Sequence, residues 1–196
     1  MIKIGVTGAI GSGKTTFCKM LEKLGATVFY ADDEAKRLMV ENVDLRKALQ
    51  KAFGQETYLS DGSLNKPHLI KEAFQKGNVE KLNRIVHPVV GEEFRRFAEH
   101  SAKSGCKLIV KEAALLLNYG RPDELDLVII IKSDQNSRVQ RVVKRDEASE
   151  QAILERNARQ PDFDKLTYLA DYVVNNNGTV EELREKAAEI FKQIIQ

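Results

Sequence analysis

Hydrophobic residues along the chain alternate between short apolar runs and longer stretches in which they recur every three or four positions. The short runs predict five β-strands: Met1–Thr7, Thr27–Tyr30, Lys107–Glu112, Leu125–Ile131 and Tyr172–Asn175. The stretches between these strands predict helices. Because strands that alternate with helices usually pair in parallel, the pattern predicts an α/β fold with a five-stranded, parallel, doubly wound sheet.

The first and last helices have definite ends in the sequence. The first follows the first strand and carries apolar residues at i, i+3, i+4 and i+7: Phe17, Met20, Leu21 and Leu24. Gly25 ends it. The last helix begins after Thr179, which lies three residues before Glu182 in the spacing of a capping box. Its apolar stripe predicts that it packs against the sheet.

Two longer helical stretches do not fit simple connections between strands. Residues 33–104 are charged and mostly helical, with interruptions predicted at the turn 60–63, at Pro67 and at Pro88. This is too much chain for a crossover, and it predicts a substrate-binding insertion. Residues 134–169 are rich in arginine and predict a helical lid over a bound nucleotide.

Composition and charge exclude several kinds of protein. The 196 residues, 42% of them hydrophobic, suit a single domain with a buried core. With 31 Lys and Arg against 29 Asp and Glu, the net charge of +2 gives no strong field, so we expect neither nucleic acid nor membrane as a partner. We find no signal peptide or membrane span and expect a cytoplasmic location. Cys18 and Cys106 lack the spacing of metal ligands, so we expect buried free thiols.

A phosphate-binding loop follows the first strand. Residues 8–15, G-A-I-G-S-G-K-T, match G-x-x-x-x-G-K-[ST] and lead into the first helix. Glycines let backbone N–H groups wrap a polyphosphate, and the helix N-terminus adds partial positive charge. We expect Lys14 to contact the β- and γ-phosphates of a nucleoside triphosphate and the Thr15 hydroxyl to bind Mg²⁺. The predicted nucleotide-binding residues are Gly8, Gly11, Ser12, Gly13, Lys14, Thr15 and Thr16.

Carboxylates end two of the predicted strands, at the edge where open α/β sheets bind ligands. Asp32 and Asp33 follow the second strand. One of them could take the proton of an attacking hydroxyl or hold Mg²⁺ through water; alternatively, one is the N-cap of a helix that begins near Glu34. Glu112 ends the third strand and either contacts Mg²⁺ or its waters, or is an ordinary strand-end residue.

Arginines are concentrated in the predicted lid. Arg138, Arg141 and Arg145 share one helix face, and Arg156 and Arg159 follow on the next segment. Such side chains could neutralise charge on a transferred phosphoryl group, although each alone also suits a solvated surface.

The pair His87-Pro88 lies in the predicted insertion, at what looks like a helix start. A lone histidine there is either a structural feature or part of a substrate site.

Several strings, taken in order, resemble the dephospho-coenzyme A kinase family. They are Thr7–Thr15, Tyr30–Asp32, Leu82–Pro88, Arg141–Asp146, Ala158–Gln160 and Ala170–Gly178. Two positions differ from the family pattern. Tyr30 replaces the first aspartate of D-A-D, and Asn118 replaces the glutamate of P-L-L-[FV]-E, whose contacts are then absent or made by Glu112.

The resemblance implies a single P-loop kinase domain over residues 1–196, with ATP and Mg²⁺ as cofactors. It implies transfer of a phosphoryl group from ATP to the ribose 3′-hydroxyl of dephospho-coenzyme A, giving coenzyme A and ADP in the last step of coenzyme A biosynthesis. Asp32 would then be the base, Lys14 part of the triphosphate clamp, and Arg141 and Arg145 lid arginines. His87-Pro88 would lie in the insertion that receives the coenzyme substrate. The oligomeric state stays open.

Two other functions compete with this interpretation. The first is a nucleoside or nucleoside monophosphate kinase with a similar core. The second is a nucleotide-driven switch, which usually needs an N-K-x-D string to bind its base. The residues 65–68, N-K-P-H, lack that aspartate, and the insertion and lid also favour a kinase.

Overall fold

The computed structural model describes residues 1–146, 149–158 and 160–196. Arg159 lies outside these residues, and so does the side chain of Arg156. The described chain divides into two compact units. One comprises Met1–Tyr30 and His100–Gln196, and the other comprises Ala31–Glu99.

The described residues form five strands and eight α-helices. The strands are β1 (Ile2–Thr7), β2 (Thr27–Tyr30), β3 (Leu108–Glu112), β4 (Leu127–Lys132) and β5 (Tyr172–Asn175). The helices are α1 (Lys14–Lys23), α2 (Ala31–Glu41), α3 (Val43–Phe53), α4 (Lys66–Leu69), α5 (Val79–Lys103), α6 (Gln135–Asp146), α7 (Glu150–Ala158) and α8 (Val180–Ile195). Short 3₁₀ turns at Gln55–Thr57 and Thr167–Leu169 and a π-helical turn at Ile70–Gln75 complete the regular structure.

The first unit is built on a parallel sheet with the strand order β2-β3-β1-β4-β5, which confirms the predicted α/β fold. β1 is central, and Val6 lies opposite both Glu112 of β3 and Ile129 of β4. The observed strands match the predicted ones to within two residues. β4 begins after Leu125 because that residue closes a turn, its N–H donating to the carbonyl of Pro122 at 3.2 Å.

Helices α1 and α8 pack against this sheet and form the main core. The capping box at Thr179 is confirmed, since its side chain accepts the Glu182 N–H at 3.2 Å and its own N–H donates to the Glu182 carboxylate at 3.1 Å. The prediction that Leu24 lies on the apolar stripe of α1 is wrong. The helix ends at Lys23, and Leu24 is left 40% exposed.

A second, smaller apolar cluster lies under helices α6 and α7. It consists of Val139, Val142 and Ile153, and Ile10 of the phosphate-binding loop packs against it. The side chain of Ile10 therefore connects the loop to α6 and α7.

The second unit contains α2 to α4 and helix α5 as far as Glu99. Helix α2 begins at Ala31, directly after β2, so Asp32 and Asp33 lie in its first turn and neither is its N-cap. The predicted turn at 60–63 is present, and the Asp61 carboxylate accepts the Ser63 N–H at 2.9 Å. Pro67 lies in the first turn of α4, where a missing N–H costs nothing.

The predicted interruption at Pro88 is wrong. Helix α5 runs through Pro88 for 25 residues, so His87 and Pro88 lie inside a helix and not at its start. The proline gives up one backbone hydrogen bond of the helix interior.

None of the helices in the described part of the chain is both long and apolar enough to span a bilayer. Both cysteines are free thiols. Cys18 is buried as predicted, whereas Cys106 is only half-buried.

Candidate active site

The phosphate-binding loop connects β1 to α1, and its glycines adopt conformations that other residues avoid. Gly13 has a φ of 100° and precedes α1; a Cβ there would lie under 3.0 Å from Nδ2 of Asn176. Gly11 has a φ of 76°, and its Cβ would lie 2.5 Å from the carbonyl oxygen of Arg138. Both the backbone angle and the neighbouring atoms therefore require glycine at these two positions.

The ends of the loop are closed by hydrogen bonds to two of its carbonyl groups. The Ala9 carbonyl accepts from Nζ of Lys14 at 3.3 Å and from the Ser12 N–H at 3.1 Å. The Ser12 carbonyl accepts from Nδ2 of Asn176 at 2.7 Å. Lys14 is only 9% exposed, so its ammonium group is held close to the loop backbone.

The two central carbonyl groups of the loop accept from arginines of α6. Arg138 donates to the Ile10 carbonyl at 3.5 Å, and Arg141 donates to the Gly11 carbonyl at 3.4 Å. Four successive carbonyls, 9 to 12, are thus bound by donors of this chain. Since the C=O and N–H of one peptide plane point in opposite directions, the N–H groups of Gly11 and Gly13 are directed away from these donors. The loop is shaped to accept an anion.

Asn176 is a site residue that the sequence reasoning missed. It follows β5, is 7% exposed, and contacts the loop through its side chain. Its backbone carbonyl accepts from Arg141 at 2.9 Å, and its backbone N–H donates to the Lys132 carbonyl at 2.7 Å. Asn176 therefore joins the sheet, the loop and α6. The only sequence clue was its place in the string 170–178.

The other predicted nucleotide-binding residues surround the start of α1. Thr15 and Thr16 are exposed in its first turn, and Ser12 and Gly8 are buried within the loop. The structure brings together all seven predicted nucleotide-binding residues. A divalent cation could reach the Thr15 hydroxyl from solvent.

Glu112 belongs to the same unit as the loop and is 7% exposed at the end of β3. Burial and, secondarily, the Glu112 carboxylate raise the pKa of the Cys18 thiol well above its usual value. Cys18 thus stays protonated and is no nucleophile.

Tyr30 stands where the family resemblance implies an aspartate, and it lies beside Glu112 in register. Burial, followed by the nearby Glu22 carboxylate, raises the pKa of the Tyr30 hydroxyl. Tyr30 is therefore neutral at physiological pH and contributes no negative charge at this edge of the sheet.

The three arginines of α6 have different environments. Arg138 and Arg141 are half-buried; besides the loop, Arg141 contacts the Ser133 hydroxyl at 3.2 Å. The Arg145 side chain is 61% exposed and makes a bidentate pair with Asp146 at 2.6 and 2.9 Å. On the helix face predicted from the sequence, Arg138 and Arg141 therefore contact the loop, whereas Arg145 faces solvent.

Asp32, His87 and Pro88 belong to the second unit. Asp32 is exposed in the first turn of α2, and the neighbouring Asp33 carboxylate pairs with Lys36 at 2.7 Å. His87 is half-buried and Pro88 is exposed. The pairing of Asp33 with Lys36 distinguishes two carboxylates that spacing alone left equivalent.

A cavity of about 510 Å³ lies beside the loop in the first unit. Its walls are Ala9, the end of β4, the start of α6, Leu154, Asn157, Ala158 and residues 160–164. Among the described residues, no three His, Cys, Asp or Glu side chains lie close enough together to form a metal site of their own.

Comparison with known proteins identifies relatives over the length of the chain. Residues 2–182 match the family model of dephospho-CoA kinase. The dephospho-CoA kinase of Salinibacter ruber is 44% identical over 192 residues, covering 97% of this chain and 96% of the relative. A crystal structure of a Thermus thermophilus protein is 26% identical with a TM-score of 0.80, covering 98% of this chain and 97% of its own. The dephospho-CoA kinase from Campylobacter jejuni, at 22% identity, shares the fold with a TM-score of 0.63 and covers 98% of this chain and 97% of its own.

Proposed function

Since this chain belongs to the dephospho-CoA kinase family, we infer that it transfers the γ-phosphoryl group of ATP to the ribose 3′-hydroxyl of dephospho-coenzyme A. The products are coenzyme A and ADP, in the last step of coenzyme A biosynthesis. The observation that carries this function is the loop between β1 and α1, whose carbonyls are bound by Lys14, Arg138, Arg141 and Asn176. An anion-binding loop of this kind suits a P-loop kinase.

We propose that the loop and Lys14 position the triphosphate. The N–H groups at the start of α1 and the Lys14 ammonium group would bind phosphate oxygens, and the helix N-terminus favours their negative charge. Because the loop is held by hydrogen bonds of the protein itself, little reorganisation accompanies nucleotide binding. Such preorganisation is the main source of rate in phosphoryl transfer.

We assign the general base to Asp32. Its carboxylate is exposed, whereas that of Asp33 is paired with Lys36. From the first turn of α2, it would take the proton of the attacking hydroxyl.

For Mg²⁺, the proposed ligands are the Thr15 hydroxyl and Glu112, directly or through water. Both are hard oxygen donors, and Glu112 is held at the end of β3. When bound, the ion would neutralise charge on the phosphate oxygens.

The insertion and the lid are proposals of the same kind. The second unit, Ala31–Glu99, nearly coincides with the predicted insertion 33–104, which supports a separate substrate-binding element with His87 and Pro88 in it. In the proposed lid, 134–169, Arg141 is bonded to the loop while Arg145 faces solvent. The cytoplasmic location, and partners without nucleic acid, stay predictions of the sequence.

An acceptor panel tests the function. We expect ADP release with Mg²⁺-ATP to depend on dephospho-coenzyme A and to be far slower with adenosine or AMP. Mass spectrometry of the product should show one added phosphate at the ribose. Comparable rates with AMP or a nucleoside would instead support the nucleoside monophosphate or nucleoside kinase alternative.

Replacing Arg145 with lysine should separate its two possible roles. Lysine keeps the charge but loses the planar fork that binds two phosphate oxygens together. We expect Arg145→Lys to lower kcat much more than it weakens ATP binding, measured by titration without acceptor, because a lid arginine acts after both substrates are bound.

Lys144→Arg is the control for Arg145→Lys, an exposed basic residue on the same helix changed in the opposite direction. An equal fall of kcat and ATP affinity would make Arg145 a ground-state binding residue. No change in either would make it a surface residue.

A further inference from the structure

Ile10, in the middle of the phosphate-binding loop, is held by the chain at three points. Its side chain packs against Val139, Val142 and Ile153. Its carbonyl accepts from Arg138 at 3.5 Å. Its N–H donates to the side-chain oxygen of Gln160 at 2.7 Å, the shortest of the hydrogen bonds described at this residue.

The peptide plane between Ala9 and Ile10 is consequently bound at both ends. Its carbonyl, that of Ala9, accepts from the Lys14 ammonium group, and its N–H donates to Gln160. Rotation of this plane would move the Ala9 oxygen and therefore the group that Lys14 contacts. Gln160 fixes the rotation from the side opposite Lys14.

Gln160 itself is held in place. It is half-buried in the wall of the cavity, and its backbone N–H donates to the Asn157 carbonyl at 3.0 Å. The Asn157 side chain in turn accepts from Arg138 at 2.7 Å, the same arginine that reaches the Ile10 carbonyl. Gln160, which follows α7, thus binds the N–H of Ile10, and Arg138 of α6 binds its carbonyl.

We propose that Gln160 is a positioning residue for phosphoryl transfer, which orients the Ala9–Ile10 peptide plane and through it the Lys14 ammonium group. The inference rests on the proposed role of Lys14 in the kinase reaction. Gln160 contacts neither the anion-binding start of α1 nor, in this assignment, the acceptor. Its effect should therefore fall on the transition state, since a misplacement of about 1 Å costs about 10²-fold in rate.

The test replaces Gln160 with leucine, which has a similar size but no acceptor oxygen. We expect kcat at saturating ATP and dephospho-coenzyme A to fall by about 10- to 100-fold. The dissociation constant of ATP alone should change little, because the N–H groups at the start of α1 are unaltered. The melting temperature should fall by no more than about 4 °C, as for the loss of one hydrogen bond in a chain of this size.

Two further variants separate positioning from packing. Gln160→Glu keeps an acceptor oxygen at the same reach and should retain most of the wild-type kcat at saturating ATP. Gln160→Asn keeps the amide but is one methylene too short, and it should lose kcat as Gln160→Leu does. Because asparagine is polar and small, this variant also tests the proposal if the leucine variant does not fold. Gln193→Leu makes the same change on the exposed face of α8, away from the cavity and the lid, and is the matched control, with unchanged kcat.

Several results would overturn the proposal: an unchanged kcat in the leucine and asparagine variants, an equal loss of kcat and ATP affinity, or a glutamate variant no better than leucine. The wild-type protein is assayed first. An inactive wild type with dephospho-coenzyme A would reject the proposed function, whereas an active wild type with unaffected variants would reject only the role of Gln160.

Discussion

Replacing Lys14 with alanine should abolish phosphoryl transfer and leave the fold intact. The ammonium group is held at 3.3 Å from the Ala9 carbonyl, next to the anion-binding start of α1. Loss of one preorganised contact to developing charge costs about 10²- to 10³-fold in kcat, and here a full positive charge is lost as well. The coupled ADP-release assay measures the effect, and far-ultraviolet circular dichroism monitors the fold.

Lys19→Ala is the matched control for Lys14→Ala, because Lys19 lies on the same helix and is exposed. We expect it to retain wild-type activity. A Lys14→Ala enzyme within tenfold of wild type would contradict the assigned role. If the variant were inactive because it had unfolded, its circular dichroism spectrum would differ from those of the wild type and of Lys19→Ala.

Replacing Asp32 with asparagine should lower kcat by about 10²- to 10⁴-fold, the usual contribution of a general base. Asparagine has the same shape but does not take up the proton of the attacking hydroxyl. Asp32 is exposed in the second unit and lies outside the phosphate-binding loop, so ATP binding in the absence of acceptor should be unchanged. Steady-state kinetics with both substrates saturating, together with an ATP titration, measure the two quantities.

Asp33→Asn is the natural comparison, since the two residues are adjacent in the first turn of α2 and share charge and exposure. Its carboxylate pairs with Lys36 on the surface, and exposed pairs of this kind contribute about 0.5 kcal/mol or less. We expect Asp33→Asn to retain activity. The reverse outcome, with Asp33 essential and Asp32 dispensable, would show that the base had been assigned to the wrong carboxylate.

The sheet and the phosphate-binding loop could be predicted from the sequence because each is determined by residues that lie close together along the chain. The three inner strands, β1, β3 and β4, are mostly apolar runs that a parallel sheet buries on both faces. The phosphate-binding loop and the capping box at Thr179 are each defined by short spacings. The low helix propensity of proline predicted an interruption at Pro88, but Pro88 lies inside a 25-residue helix. Long helices with many tertiary contacts tolerate a local penalty that would end a short one.

The residues that hydrogen-bond to the loop from elsewhere in the chain could not be predicted from sequence spacing. Asn176 and Gln160 are ordinary polar residues, and the strings 170–178 and 158–160 that contain them do not specify a contact with residues 10–12. Their roles arise only when the end of β5 and the segment after α7 meet the loop. Arg141 illustrates the same limit, because its place on a helix face was correct while its contact with the Gly11 carbonyl was not foreseen.

The donors that hold the loop lie far from it along the chain. Arg138, Arg141, Gln160 and Asn176 are separated from their partners in the loop by 128 to 164 residues. During synthesis the complete phosphate-binding loop leaves the ribosome early, long before these donor residues do. The nucleotide site is therefore among the last parts of the protein to form. A nascent chain should not bind ATP before β5 has joined the sheet.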